Sequence, residues 1–459
     1  MGARLTPRWG VYLYWLWSST DIRSIVSNEK WQVVSIAWPI ILSNISTPLL
    51  GLVDTAVIGN LGDAALIGAI AVGGVIFSFL YWGFGFLRMG TTGLVAQAVG
   101  AGDMYLAKIT FLRAAVLAAV IGITLIVFQY PILEFALTLL DGSREVESAA
   151  MTYFQIRIWS APLNLASLAI MGYLLGTQHA TQILLIQIVL NGTNIILDFL
   201  FVVGFEWGVA GVAYATLIAE FIAFMLGLTI LTRILSRQPN LPRVSIQKLL
   251  DLSALRHMFA VNRDLMIRTL CLIFAFAMFT NQGAKNGDVL LATNAILMQF
   301  VTFSAFFLDG FALAGESLVG HAMGARSKQT LQKTIRHIFE LGVVTACALS
   351  LVFFAIGDIV VTILTNVPAI ISASEEYLVW VYIAPVAAVW CYILDGIFIG
   401  ATRTNEMRNA MLFSLLVYLL SFFTLDPLLG NHGLWLSLMI YFLARGVSLA
   451  WYLPRISAT

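Results

Sequence analysis

Residues 183–203 read ILLIQIVLNGTNIILDFLFVV, an apolar run whose one formal charge, Asp198, comes near its end. Roughly 20 apolar residues in helical form cross a bilayer. The run lacks the period-2 alternation of a barrel strand, so it reads as a membrane-spanning helix. A carboxylate at that depth costs several kcal/mol unless it faces a cavity or a partner, which makes it a functional candidate. The run from Val33 to Ile58 has the same form and holds Asp54.

About twelve such stretches follow one another: 32–58, 66–96, 105–130, 147–176, 181–203, 209–232, 255–281, 288–320, 331–356, 372–400, 408–425 and 431–453. The chain of 459 residues is 60% hydrophobic and only 11% charged. Its mean hydropathy is +0.91. Soluble domains carry about a quarter charged residues, so an all-α polytopic membrane protein with twelve transmembrane helices is expected.

Charge orders the spans. Arg4, Arg8, Arg23 and Lys30 precede the first, and Lys108 and Arg113 follow the second. Arg233, Arg237, Arg243, Lys248 and Arg256 fill the link after the sixth. Arg326, Lys328, Lys333 and Arg336 follow the eighth, and Arg403 and Arg408 the tenth. The opposite loops carry mainly acids, among them Asp63, Asp141, Glu145 and Asp426. The positive-inside rule then puts both termini in the cytoplasm of a multi-pass protein, expected in a bacterial inner membrane. The Met-Gly start matches a myristoylation pattern, read as a chance match. Cys271, Cys347 and Cys391 fall within spans and show no pairing or metal spacing.

The halves repeat. Residues 97–101 (QAVGA) answer 321–325 (HAMGA), and Gly172 and Gly176 answer Gly396 and Gly400, at a constant offset of 224. Tyr153 likewise matches Tyr377. Six spans per half is an even number, so both halves enter from the same side and the repeat is parallel. The domains expected are a cytoplasmic segment 1–31, a six-helix lobe 32–232, a cytoplasmic linker 233–254 with Pro239, Asn240 and Pro242, and a second lobe 255–454.

Asp54, Asp198 and Thr216 sit at one depth, roughly 8–10 Å below the outer boundary at 1.5 Å per residue. Asn191, Asn194 and Asp198 form one stripe of their helix. Asp54, Asn191, Asn194, Asp198 and Thr216 are therefore the candidate coupling residues. Two acids in one pocket can share a proton, or hold a hard cation such as sodium with the amide and hydroxyl oxygens. Asn191 and Thr216 also fit plain helix–helix hydrogen bonding. Position 422 (198 plus 224) is Phe422, so the acid pocket is not copied in the second half. That half has Arg263, Asp264, Arg268, Asp309, Glu316 and Asp395 instead. They read as a charge-paired structural cluster, or as a cytoplasmic gate or second proton site. Pro39 and Pro48 would bend the first helix beside Asp54.

The chain resembles the multidrug and toxic compound extrusion (MATE) transporters from Trp31 to about Tyr452. The carriers are Trp38-Pro39, Val53-Asp54-Thr55, residues 96–103 (AQAVGAGD), 156–162 (IRIWSAP), 194–198 (NIILD) and 208–213 (GVAGVA). Asn262-Arg263-Asp264 with residues 267–270 (IRTL) is similar to the DinF-like branch named for DNA-damage-inducible members. The resemblance implies that Asp54, Asn194, Asp198 and Thr216 form the proton or cation site, and that Pro39 is a bend responding to protonation. A tyrosine found one turn before the first acid in some relatives is Leu50 here.

The function expected is secondary active export of multiple toxic compounds by cation antiport and alternating access, with the proton as the expected ion and sodium as its alternative. The expected substrates are organic, cationic or amphipathic small molecules that aromatic side chains could stack. A lipid-linked precursor flippase of the same superfamily is the alternative, though few bases lie within the spans (Arg88, Arg157, Arg263, Arg268). An enzyme is not expected: paired Asp-rich metal motifs and zinc spacings are missing, and no Gly-rich Lys-Ser/Thr loop suggests an ATP-driven pump. No metal, cofactor or nucleic-acid partner is expected beyond the coupling ion, with the bilayer as surroundings and a monomer as the assembly.

Overall fold

The computed structural model describes residues 28–59, 64–140, 143–238, 242 and 244–457, and the regular structure of these residues is helical throughout. The bases Arg4, Arg8 and Arg23, the Met-Gly start, Asp63, Asp141, Pro239, Asn240 and Arg243 lie outside the described residues, as does the side chain of Leu50.

The first half contains α1 (Asn28–Gly59), α2 (Ala64–Gly83), α3 (Phe86–Gly100), α4 (Met104–Val127), α5 (Gln129–Leu140), α6 (Arg144–Arg157), α7 (Ala161–Gly176), α8 (Ala180–Asp198) and α9 (Gly208–Ser236). A one-turn helix α10 (Ile246–Leu249) marks the link. The second half contains α11 (Leu252–Lys285), α12 (Asp288–Gly324), α13 (Lys328–Leu364), α14 (Pro368–Gly400), α15 (Thr404–Leu429) and α16 (Asn431–Ser457). Among the described residues, eleven helical stretches are long and apolar enough to cross a membrane. The 32-residue α1 is the other long helix.

Two details differ from the sequence reading. The second span breaks at Phe84-Gly85, where the N–H groups turn back to Tyr81 and Trp82. A separate α5 follows the third span, opening with Pro131 in its first turn, where a missing N–H costs no helical bond. At 12 residues it is too short to cross.

The repeat shows in the backbone. The turn before α4 and the turn before α13 share one construction 224 positions apart. Gly102 (φ 76°) and Arg326 (φ 53°) are left-handed, and Asp103 and Ser327 then cap the next helix by accepting from the N–H groups of Leu106 and Thr330. Gln178 (φ 62°) and Thr402 (φ 54°) likewise share a place before α8 and α15. Packing repeats too. A Cβ on Gly172 would lie 2.7 Å from the Arg88 carbonyl oxygen, and one on Gly396 would lie 2.1 Å from that of Ala312.

The helices of each half pack chiefly on one another, and the halves meet where α12 crosses α1 and α3. The tightest meeting is reciprocal. A Cβ on Gly100 would strike the His321 carbonyl oxygen at 2.2 Å, and a Cβ on Gly324 that of Gln97 at 2.0 Å. Hydrogen bonds from Gln97 to the Gly400 carbonyl (2.9 Å) and between His321 and the Gly176 carbonyl (2.7 Å) join the same end. Lys333 to Glu29 (3.0 Å) and Lys30 to Glu340 (2.8 Å) close its rim. Arg113 ties the link to this end by donating to the carbonyls of Leu249 (3.1 Å) and Lys248 (2.5 Å).

Candidate functional site

Asp54 lies on α1 six residues past Pro48, Asn194 and Asp198 lie on α8, and Thr216 lies on α9. The three helices bring these side chains into one pocket. Asn194 and Asp198 are fully buried, and Thr216 and Asp54 are only 2% and 6% exposed, so neither acid is turned to lipid. The amide of Asn194 is oriented by its neighbours, because an oxygen aimed at two carboxyl groups would be repelled. Its nitrogen donates to Asp198 Oδ2 (2.9 Å) and Asp54 Oδ1 (3.2 Å), while its oxygen accepts from Thr216 Oγ1 (3.2 Å). The two carboxyl groups also meet each other. An ionised carboxylate only accepts, so that meeting is favourable when the pair holds a proton. Asp198 Oδ1 is buried without a partner. Directly after Asp198 the helix widens into a π turn, Phe199–Gly204, a distortion frequent at functional sites.

Asn191 stands apart from the acids. Its Nδ2 donates to the Ser46 carbonyl (2.9 Å) and its oxygen accepts from Gln187 (3.1 Å), fastening α8 to α1 beside Pro48.

A second polar layer adjoins the pocket, and the sequence reading did not single out its acid, Glu220. Glu220 stands one turn beyond Thr216 on α9. Its Oε1 accepts from Asn164 (3.3 Å) and faces Arg157 at 3.9 Å. Arg157 donates to the Tyr153 hydroxyl (2.7 Å) and lies over the Phe77 ring at 4.7 Å. The signal was the one that marked Asp54, an acid inside an apolar run.

In the second half the charges form three separate groups. Asp395 Oδ2 accepts from both Arg268 and Arg445, the latter at 2.7 Å. Arg445 was not foreseen. Asp264 pairs with Arg263 (3.0 Å) and Arg408 (2.8 Å). Glu316, expected to pair with an arginine of its own half, instead takes Arg88 of α3 at 3.1 Å, because α3 crosses α12 there. Asp309 has no hydrogen bond or ion pair among the described residues. It lines a cavity of about 450 Å³ between α2, α3, α11, α12 and α14, together with Trp82, Phe276, Phe306 and Tyr392.

The MatE family model matches residues 39–200 and again 265–424, once in each half. DNA damage-inducible protein F of Escherichia coli is 41% identical over 90% of each chain. The chain belongs to the MatE family. A probable multidrug resistance protein NorM of Thermotoga maritima is 24% identical over 75% of this chain and 74% of its own. A solved transporter of the MOP superfamily from Pyrococcus furiosus superposes with a TM-score of 0.84 over 94% of this chain and 97% of that one, at 19% identity. This MatE protein is thus a multi-pass membrane transporter rather than an enzyme, with a fold its solved relatives share. Within it, the geometry gathers Asp54, Asn194, Asp198 and Thr216, sets Asn191 to one side, and leaves Pro39 and Pro48 inside a continuous α1.

Proposed function

We propose that this protein exports organic small molecules in exchange for protons, with Asp54 and Asp198 as the coupling pair. The observation that carries the reading is the single amide of Asn194 bridging two buried carboxyl groups. Two anions so close in a poorly polarisable interior repel, and one proton held between them removes that repulsion. A pocket of this kind binds and releases a proton while α1, α8 and α9 shift against one another.

The organic substrate occupies the central cavity of about 450 Å³. Its paired charges are already spoken for, which leaves Asp309 to attract a positive group among aromatic faces. By the positive-inside rule the link side is read as cytoplasmic, and the tight glycine contacts at that end support reading this side as closed. Protonation from outside releases the substrate outward, and the return step delivers the proton inward. The bacterial inner membrane is its site and a monomer its working unit.

Proteoliposomes with an inward-directed proton gradient and ethidium as probe test the reading. Wild type is expected to exchange ethidium for protons, and Asp54→Asn to lose at least about 100-fold of that rate while remaining folded, the scale of a lost positioned proton carrier. Normal exchange by the Asp54→Asn protein would remove the coupling role.

A further inference from the structure

We propose that Glu220 is a second proton-carrying carboxyl, its charge traded against Asp54–Asp198 through Arg157, so that the N-terminal helices take up two protons per cycle. The inference rests on the coupling reading above and adds its stoichiometry. Glu220 is 7% exposed and lies near the middle of α9, where a lone anion is costly. Arg157 faces Glu220 Oε1 at 3.9 Å, and its charge also reaches Asp54.

Counting charges decides how many protons are needed. Three buried carboxyl groups, Asp54, Asp198 and Glu220, have this one guanidinium as their cation, which Glu220 faces directly. A proton shared by the aspartates leaves one charge on that pair and one on Glu220, of which Arg157 can balance only one. A buried charge without a partner is strongly unfavourable, so the neutral pocket holds a second proton. One atom left over in the structure agrees with this count: Glu220 Oε2 is buried without a hydrogen-bond partner.

The other groups around Glu220 do not supply a second cation. From α6 and the turn after it come Tyr153 and Ser160, from α7 Asn164 and from α2 Tyr81, with Asp54 of α1 on the far side of Tyr153. Tyr81 bonds to Ser160 at 3.3 Å. These are neutral donors and acceptors or further acids. When Glu220 takes a proton from water, its carboxylate becomes a neutral acid that keeps the Asn164 bond through its carbonyl oxygen, and Arg157 turns to the aspartates. When the aspartates are neutral, Arg157 stays with Glu220.

The test is the proton-to-ethidium ratio in sodium-free proteoliposomes with the membrane potential clamped at zero by valinomycin and potassium. Against a roughly tenfold ethidium gradient, two-proton exchange reverses at about half a pH unit and one-proton exchange at about one unit. We expect about half a unit for wild type and for Glu220→Asp, and about one unit for Glu220→Gln. A wild-type reversal near one unit overturns the proposal whether or not the variants fold, as does an unchanged half unit in Glu220→Gln. Coupled exchange that survives in Asp54→Asn would instead sink the aspartate pocket, and the proposal with it.

Discussion

Two ionised carboxylates 4 Å apart repel by about 4 kcal/mol at an effective dielectric constant of 20, so the amide of Asn194 carries weight out of proportion to its size. It is the donor the two acids share. Asn194→Leu should therefore lower stability by about 1–3 kcal/mol, the cost of leaving buried acceptors without a donor. The loss should grow as pH rises, because the ionised acids need that donor most. Thermal melts of the purified protein between acidic and alkaline pH would check this, and a variant melting with wild type throughout would refute it. Asp54 and Asp198 were legible in the sequence because a charge in an apolar run stands out. Asn194 was legible by helical spacing, and Thr216 by its matching depth. Glu220 obeys the same rule as the aspartates, yet its meaning depends on Arg157 arriving from another helix, and no spacing along the chain records that.

Among elements, the crossing of α3 and α12 shows what small residues do. Gly100 and Gly324 occupy equivalent repeat positions, and each lets the other half's backbone come within reach of a carbonyl. Gly324→Ala should hold the halves apart at the link end, since its Cβ would lie 2.0 Å from the Gln97 oxygen. A single cysteine at Ala101 should then react faster with a water-soluble maleimide in the Gly324→Ala background, and ethidium exchange should slow. Equal labelling with and without the alanine would count against that crossing as a closed gate. The repeat offset was readable from residues 97–101 and 321–325, and the turns at Gly102 and Arg326 follow it faithfully. The break at Phe84-Gly85 and the extra α5 were not readable, because continuous apolar sequence hides where a helix stops. The cross-half pairing of Arg88 with Glu316 escaped for a related reason: which helices cross is a property of packing, not of one helix face.

At the scale of the whole molecule, the two halves divide the work. The first keeps an acid pocket held by one amide, whereas the second sets Asp264, Glu316 and Asp395 against arginines. Asp395 is held by Arg268 and Arg445 together. Asp395→Asn would leave two buried guanidinium groups without their counter-charge, and a loss of about 3–5 kcal/mol follows. The double variant Asp395→Asn/Arg445→Leu should recover part of that loss, since it removes one of the two cations. Melting temperatures of the single and double variants measure this, and an Asp395→Asn protein as stable as wild type would show that the triad is not structural. The all-helical, many-span pattern came from composition and spacing alone, because a bilayer leaves a chain few ways to satisfy its backbone. The asymmetry between the halves came only in part, from the absence of an acid at Phe422.

The central claim is that a proton taken up by Asp54 and Asp198 drives transport. Sodium-free proteoliposomes given a sudden pH step test it most directly, with ethidium movement and internal pH followed together. Wild type should move ethidium against protons at once, and Asp54→Asn and Asp198→Asn should move neither. Ethidium movement that begins only when sodium is added, or that persists in both variants, would contradict the account.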